Sequence, residues 1–400
     1  MKLKLPKIKR NKFKFDKHVP VIVALVGFLA LSFYISANKI SNLQELVSSI
    51  TSEKDKNFEE LQKIGTELAE LKEEDQLKRN DELQGTIGKI EATYKKAVSV
   101  YENLLELKAK SKDTAELDKL FSKILSDLSK RDYDTASASI NELSAKISDE
   151  ENKIAASFTI PESVPVANAP PGSGYSRQQV QTDAGTFMVS IIAADIGSTK
   201  VIVDTASDSN CGNDCPVLPL ATYVSRNGAY AGVNGTYFCP ADYPSCAGKT
   251  NTFDLLVMNY KKTYFNSDNN VYSGNPAVIF GDNYVRFVPA ASQWGRDTSP
   301  NGVLSNYPLL LSGGNITFGG DDDPKKGSKG ARSFVANKGN SVFIGVVHNA
   351  TVAESARAMK ALGMENALNL DNGGSTALWS GGYKVGPGRN LPNVILFVRK

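Results

Sequence analysis

The sequence predicts an α+β chain: a C-terminal domain with a mixed α/β-sheet, preceded by an all-α stalk and one transmembrane helix. Three observations predict it. The uncharged run Val19–Ala37 is long enough to cross a hydrocarbon core of about 30 Å. From Ile40 to Ile154 the chain has no proline, is rich in Lys, Glu and Leu, and places apolar residues at alternating spacings of three and four. Beyond Pro161 lysine and glutamate thin out, and short β-branched or aromatic runs alternate with Gly, Asn and Asp.

The first element is a basic tail, 1–18. Lys2, Lys4, Lys7, Lys9, Arg10, Lys12, Lys14 and Lys17 face a single acid, Asp16. Such a flank stays cytoplasmic and suits anionic lipid heads. The transmembrane helix, 19–37, follows, with Phe33 and Tyr34 near its far end. A cleaved signal peptide fits less well, because the run is long and Ile35-Ser36-Ala37 is a poor cleavage site. The expectation is a single-pass plasma-membrane protein with a cytoplasmic N-terminus and an extracytoplasmic bulk. Without the first seventeen residues the chain has 38 basic and 42 acidic side chains, so nothing suggests a nucleic-acid footprint.

The stalk, 38–156, reads as a coiled coil or helical hairpin. Ile40, Leu43, Val47 and Ile50 form one stripe, and Leu61, Ile64, Leu68 and Leu71 continue it. Leu83, Ile87, Ile90, Tyr94, Tyr101 and Leu105 form another. Breaks near Lys110–Asp113 and Arg131–Asp134 predict shorter helices, with Leu117, Phe121, Ile124 and Leu128 facing Ile140, Leu143 and Ile147. A passive spacer is the first reading, and a stalk that pairs two copies as a homodimer is the alternative. A linker, 157–175, holds Pro161, Pro165, Pro170 and Pro171 with Gly172 and Gly174, a composition no helix tolerates.

The last domain, 176–400, has ample length for one core. Phe187–Ile192 and Lys200–Val203 read as a strand pair joined by a turn at Asp195–Gly197. Ala277–Phe280, Val285–Val288, Leu309–Leu311, Ser341–Val347, Ala367–Leu370 and Val394–Val398 are further strands, and Ala353–Leu362 is a helix ended by Gly363. The four cysteines, Cys211, Cys215, Cys239 and Cys246, lie past the membrane segment and read as two disulfides. Three connectivities are possible. Short spacing favours Cys211–Cys215 and Cys239–Cys246, and no common zinc pattern fits.

Four segments carry chemistry. In Asn369-Leu-Asp-Asn-Gly-Gly-Ser-Thr376 a buried strand delivers Asp371 into a turn of small residues. The Gly373 and Gly374 amides with Ser375 and Thr376 suit an anion or a sugar there. In Gly232-Val-Asn-Gly-Thr-Tyr-Phe238 a tight turn would aim Asn234 into a cleft, beside Gly235. Asn234-Gly-Thr236 also matches a glycosylation acceptor, which a cleft position would make fortuitous. Arg332, entering an apolar strand, needs an anionic partner, either Asp371 or a bound phosphate. His348 ends a strand and is the only histidine outside the basic tail.

These segments resemble the phosphodiester glycosidase family, whose vertebrate member removes N-acetylglucosamine from a sugar–phosphodiester cap. The matching stretches are Asn234–Phe238, Tyr307–Leu310, Ala331–Phe334 and Asn369–Ser375, within about 175–399 and outside the stalk. Asn372 and Thr236 stand where the family has glycine. Asn372 is tolerable if its backbone is left-handed, and Thr236 would narrow the pocket or change its substrate. The resemblance implies a hydrolase acting on glycosyl phosphodiesters in cell-envelope glycans or an exopolysaccharide. A glycan-binding tether without catalysis is the alternative.

The inventory fits this chemistry. Beyond the linker the glutamates are Glu354 and Glu365 alone, both on or beside the helix. An ordinary glycosidase flanks its bond with two carboxylates. A phosphate-monoester leaving group, with a second pKa of about 6, needs little protonation. One carboxylate, Asp371, and a phosphate ligand, Arg332, then suffice, with His348 as a proton shuttle and Asn234, Gly235, Ser375 and Thr376 orienting the substrate. No cofactor is expected. Asp321–Asp323 could hold a divalent cation but reads as a solvated loop.

Overall fold

The computed structural model describes residues 19–400 except 74, 112 and 296. The basic tail expected at 1–18 lies outside the described residues. The chain forms two compact units that divide after Gly88.

In the first unit, helix α1 (Val19–Glu73) is continuous. It carries a stretch long and apolar enough to cross a membrane by length and composition. The stripe of Ile40, Leu43, Val47 and Ile50 is present and exposed, at 56–59%.

The second unit begins inside helix α2 (Asp75–Lys108) and includes α3 (Ala115–Ser129) and α4 (Tyr133–Ser157). The expected breaks fall between these helices. Asp132 caps α4, its carboxylate accepting from Thr135 N at 3.1 Å. Leu117, Ile124 and Leu128 meet Ile140, Leu143 and Ile147 as their spacing predicts. The face of α2 differs from expectation. Ala97, Val100, Leu104 and Leu107 are buried, whereas Leu83, Ile87 and Tyr94 are exposed. The true stripe, Thr93, Ala97, Val100, Leu104 and Leu107, keeps the three-and-four spacing but opens on a threonine and an alanine, which carry little apolar contrast. Leu143→Ala should cost roughly 2–5 kcal/mol as a fully buried truncation. A fall in urea midpoint checks this, and an unchanged midpoint would deny the bundle its role in stability.

The linker is docked along its neighbour. Gln179 N donates to Pro165 O at 2.8 Å and Ala167 N to Gln179 O at 2.9 Å, so residues 165–167 extend the edge of strand Gly174–Thr182.

Three sheets follow, all their named strands pairing antiparallel. The largest runs, in spatial order, through Gly174–Thr182, Gly185–Asp195, Ser341–Ala350, Gly330–Lys338, Asn366–Asn369, Leu309–Ser312 and Asn315–Ile316. The second orders Tyr383–Val385, Leu378–Ser380, Ala231–Asn234, Asn393–Arg399 and Thr199–Thr205. The third holds Val257–Met258, Ala277–Phe280, Val285–Val288 and Gly302–Ser305, with Tyr264–Phe265 at its edge. All three contribute to one core, including Ile192, Val203, Val233, Val278, Val335, Leu368 and Ile395. Helix Val352–Ala361 covers the outer face of the first sheet, opened by a capping box of Thr351 and Glu354. The domain is therefore α+β.

The strand pair expected across 187–203 does not pair with itself. Gly185–Asp195 sits between Gly174–Thr182 and Ser341–Ala350, and Thr199–Thr205 pairs with Asn393–Arg399 in another sheet. The turn at Asp195–Ser198 is a crossing between sheets. Both strands are buried on both faces, so neither has the alternation that marks a simple hairpin.

Candidate active site

The site lies where the chain passes from the first sheet to the second. Strand Asn366–Asn369 ends beside strand Gly330–Lys338, with Phe334 opposite Asn369, and the chain then turns through Asp371 into Leu378–Ser380. Asp371 N donates to Gly235 O at 2.9 Å, and Gly235 N donates to Asn393 O at 3.1 Å. A Cβ on Gly235 would stand 1.9 Å from Asn393 Oδ1 and 2.8 Å from its carbonyl oxygen, so only glycine permits this approach.

Asp371 is half-buried and borders a cavity of about 550 Å³, within the range of small-ligand sites. Its Oδ1 accepts from Asn372 N at 2.8 Å, and Ser375 bonds its side chain. Desolvation pushes its pKa up to about 7, against those bonds and the charge of Arg389. The carboxyl therefore changes charge near neutrality. The turn itself is short: Asn372 is extended at φ −126°, and Gly373 takes the left-handed position at φ +61°. The left-handed Asn372 of the expectation is thus replaced by Gly373. Asn372 instead ties the turn down, its Oδ1 accepting from Ser333 N at 3.0 Å.

Asn234 is fully buried beneath Asp371. Its Nδ2 donates to Asp371 O at 2.7 Å, while its Oδ1 accepts from Ser333 Oγ at 2.8 Å and Ala377 N at 3.1 Å. The amide expected to orient a ligand orients the turn, and the same burial closes it as a glycosylation acceptor. Thr236 is buried as well, donating to Ser305 O and Asn306 Oδ1, and does not border the cavity. Thr376 faces strand Gly330–Lys338, with Ala331 O at 3.5 Å, whereas Gly373, Gly374 and Ser375 border the cavity.

Arg332 borders the cavity but makes no ion pair with Asp371. Its Nε donates to Ala350 O at 2.9 Å and its Nη2 to Lys325 O at 3.0 Å and to Ser328 O. Three carbonyl dipoles hold a buried cation, and burial lowers its pKa. His348 borders the same cavity. Its Nε2 lies 2.9 Å from Ser190 Oγ, and burial, with Arg177 nearby, lowers its pKa to about 4. It is neutral at neutral pH.

Residues beyond the expected set also meet here. Tyr237, inside the Asn234–Phe238 segment, borders the cavity and takes a 2.7 Å bond from Asn369 Nδ2. Arg389 crosses the turn, its N–H donating to Gly374 O at 2.8 Å and its guanidinium lying 5.0 Å from the centre of the Tyr243 ring. Its Gly386-Pro-Gly-Arg389 setting was the available signal. Tyr243 sits in the loop closed by the Cys239–Cys246 disulfide, and the second disulfide is Cys211–Cys215. Glu106 and Glu151 come from α2 and α4 and Lys110 from the turn after α2, a placement no local pattern announces. Asp321 and Asp323 both pair with Lys326.

Comparison with known proteins places part of this chain. No curated protein sequence matches it. Among solved structures, a hypothetical protein from Synechocystis is 15% identical over 56% of this chain, with a TM-score of 0.39. The chain spans 62% of that protein's length. The zebrafish N-acetylglucosamine-1-phosphodiester α-N-acetylglucosaminidase catalytic domain, auto-inhibited by pro-peptide, is 14% identical over 59% of this chain and 87% of its own, with a TM-score of 0.44. Residues 227–398, which include Asn234, Arg332, His348, Asp371 and Arg389, match the family model of the phosphodiester glycosidases.

Proposed function

We propose that the protein hydrolyses a sugar-1-phosphodiester bond of the N-acetylglucosamine-1-phosphodiester type, in envelope or extracellular glycans. The observation that carries this reading is Asp371: a carboxyl with a pKa near 7 at the wall of a ligand-sized cavity, beside the turn Gly373–Ser375 and Arg389. As a carboxylate it takes a proton from water. The water oxygen bonds to the anomeric carbon, and the bond from that carbon to the phosphate oxygen breaks. The phosphate leaves as a monoester with its bonding electrons, and its charge meets Arg389, the fixed cation of Arg332 and the turn's amides. Ser375 orients the carboxylate. His348, neutral, relays a proton or holds a hydroxyl.

The chain is proposed to act outside the cell, held by α1 as a single-pass plasma-membrane anchor with its N-terminus in the cytoplasm. Two disulfides and the apolar stretch of α1 support that placement. The exposed stripe Ile40–Ile50 is proposed to pair two copies.

The experiment is release of N-acetylglucosamine from a methyl-phosphodiester-linked sugar by the full chain in detergent. The rate should fall as pH drops below about 7, because protonation removes the base. A rate that rises on acidification would remove Asp371 as the base. Tight glycan binding with no release at any pH would favour a tether.

A further inference from the structure

Beyond Glu354 and Glu365 the sheet domain offers no glutamate, yet its cavity holds others. The helices provide them. Glu106 near the end of α2, Lys110 in the turn just past it and Glu151 within α4 border the same cavity as Asp371. Lys110 and Glu151 pair at 2.8 Å. The helices are fastened by contacts outside this group. Glu102 Oε1 accepts from Ser245 N at 2.9 Å, and Asn349 Nδ2 donates to Ala155 O at 2.8 Å.

Glu106 differs from those fasteners. Its Oε1 accepts from Tyr243 Oη and lies 3.9 Å from Lys325 Nζ. Its Oε2 has no protein partner among the described residues, although the side chain is only a quarter exposed. Tyr243 is itself held, with the Lys325 and Arg389 cations each 5.0 Å from its ring centre. One oxygen of the carboxylate is thus fixed while the other remains open to a ligand. A carboxylate repels phosphate and accepts from hydroxyls, so its counterpart on a glycosyl phosphate is the sugar.

We propose that the helical bundle completes the substrate site, and that Glu106 is a sugar-hydroxyl ligand that selects for the glycosyl part of the substrate. This rests on the glycosidase reading and adds a binding residue from outside the segment that matches the family.

The test uses the full chain and two readouts. N-acetylglucosamine 1-phosphate is titrated by calorimetry, and turnover is followed on the methyl phosphodiester. Glu106→Ala should weaken binding and raise KM about tenfold, the worth of roughly 1.4 kcal/mol, with kcat within about threefold. Glu106→Gln keeps an acceptor for Tyr243 and should restore part of the loss. Glu102→Ala removes only a fastening bond and should leave KM unchanged, and melting curves confirm that each variant is folded. Equal effects of Glu106→Ala and Glu102→Ala would reduce Glu106 to a fastener and overturn the proposal. Faster turnover in Glu106→Ala would also overturn it, making the helices a barrier. Binding that weakens in Glu106→Ala while no variant or wild type hydrolyses the diester would keep this inference and remove the hydrolase reading. A wild type that neither binds nor hydrolyses would remove both.

Discussion

Asp371→Asn is expected to lower kcat by about a thousandfold, within the range for losing a general base, and to make the protein more stable at pH 8. The two effects have one cause. Desolvation raises the pKa of Asp371 to about 7 in the folded chain, whereas an unfolded aspartate titrates near 4. A raised carboxyl stabilises the fold fully below the unfolded pKa, and that contribution is lost as pH climbs through about 7. Asparagine does not titrate, so the variant's advantage should grow between pH 4 and 7 and level off above, at roughly 1–3 kcal/mol after allowing for partial exposure. Urea midpoints at pH 5 and pH 8, measured beside turnover, check both halves. Full turnover in the variant would end the assignment of the base. Loss of turnover with no pH-dependent gain would mean that the carboxylate is better solvated than its position indicates.

Asn234→Ala should be the most destabilising single change at the site. It leaves Asp371 O, Ser333 Oγ and Ala377 N without their partner in a fully buried position. Each such orphan costs about 1–3 kcal/mol, and a total of roughly 3–5 kcal/mol allows for relaxation. Turnover should drop about a hundredfold in whatever remains folded, because the turn carrying Asp371 loses its anchor. Asn234→Asp keeps the acceptor but loses the donor to Asp371 O, and should fall between. A stability loss under about 1 kcal/mol would show that water or a shifted backbone replaces the amide.

Much of the fold was legible because apolar pattern and turn chemistry agreed. Ala277–Phe280, Val285–Val288, the helix over 353–361 and the facing stripes of α3 and α4 all follow from spacing and caps. Strand partnership was not legible at Phe187–Val203, since strands buried on both faces look alike whichever sheet receives them. The buried face of α2 was missed because Ala97 and Thr93 contribute to packing without contributing to apolar contrast. At the site, sequence adjacency pointed to Asp371 with its turn, motif order to Asn234 and Arg332, and its place at a strand end to His348. It could not say which way a side chain points. Asn234 spends its whole amide on bonds within the protein, and Arg332 borders the cavity while bonding to backbone carbonyls, and only the register between strands decides that. Glu106, more than two hundred residues before Asp371, is invisible to any local reading.

The Cys239–Cys246 bond closes a short loop whose tip carries Tyr243, and no sheet strand contains a cysteine. Covalent order in this chain is therefore confined to peripheral loops, one of which is a wall of the cavity. A reduced chain would keep its three sheets and lose the covalent closure of the loop under Tyr243, leaving that ring to the Lys325 and Arg389 cations and the loop's backbone bonds. Oxidising surroundings then matter to this protein less as an aid to folding than as the condition under which its cleft acquires its final side.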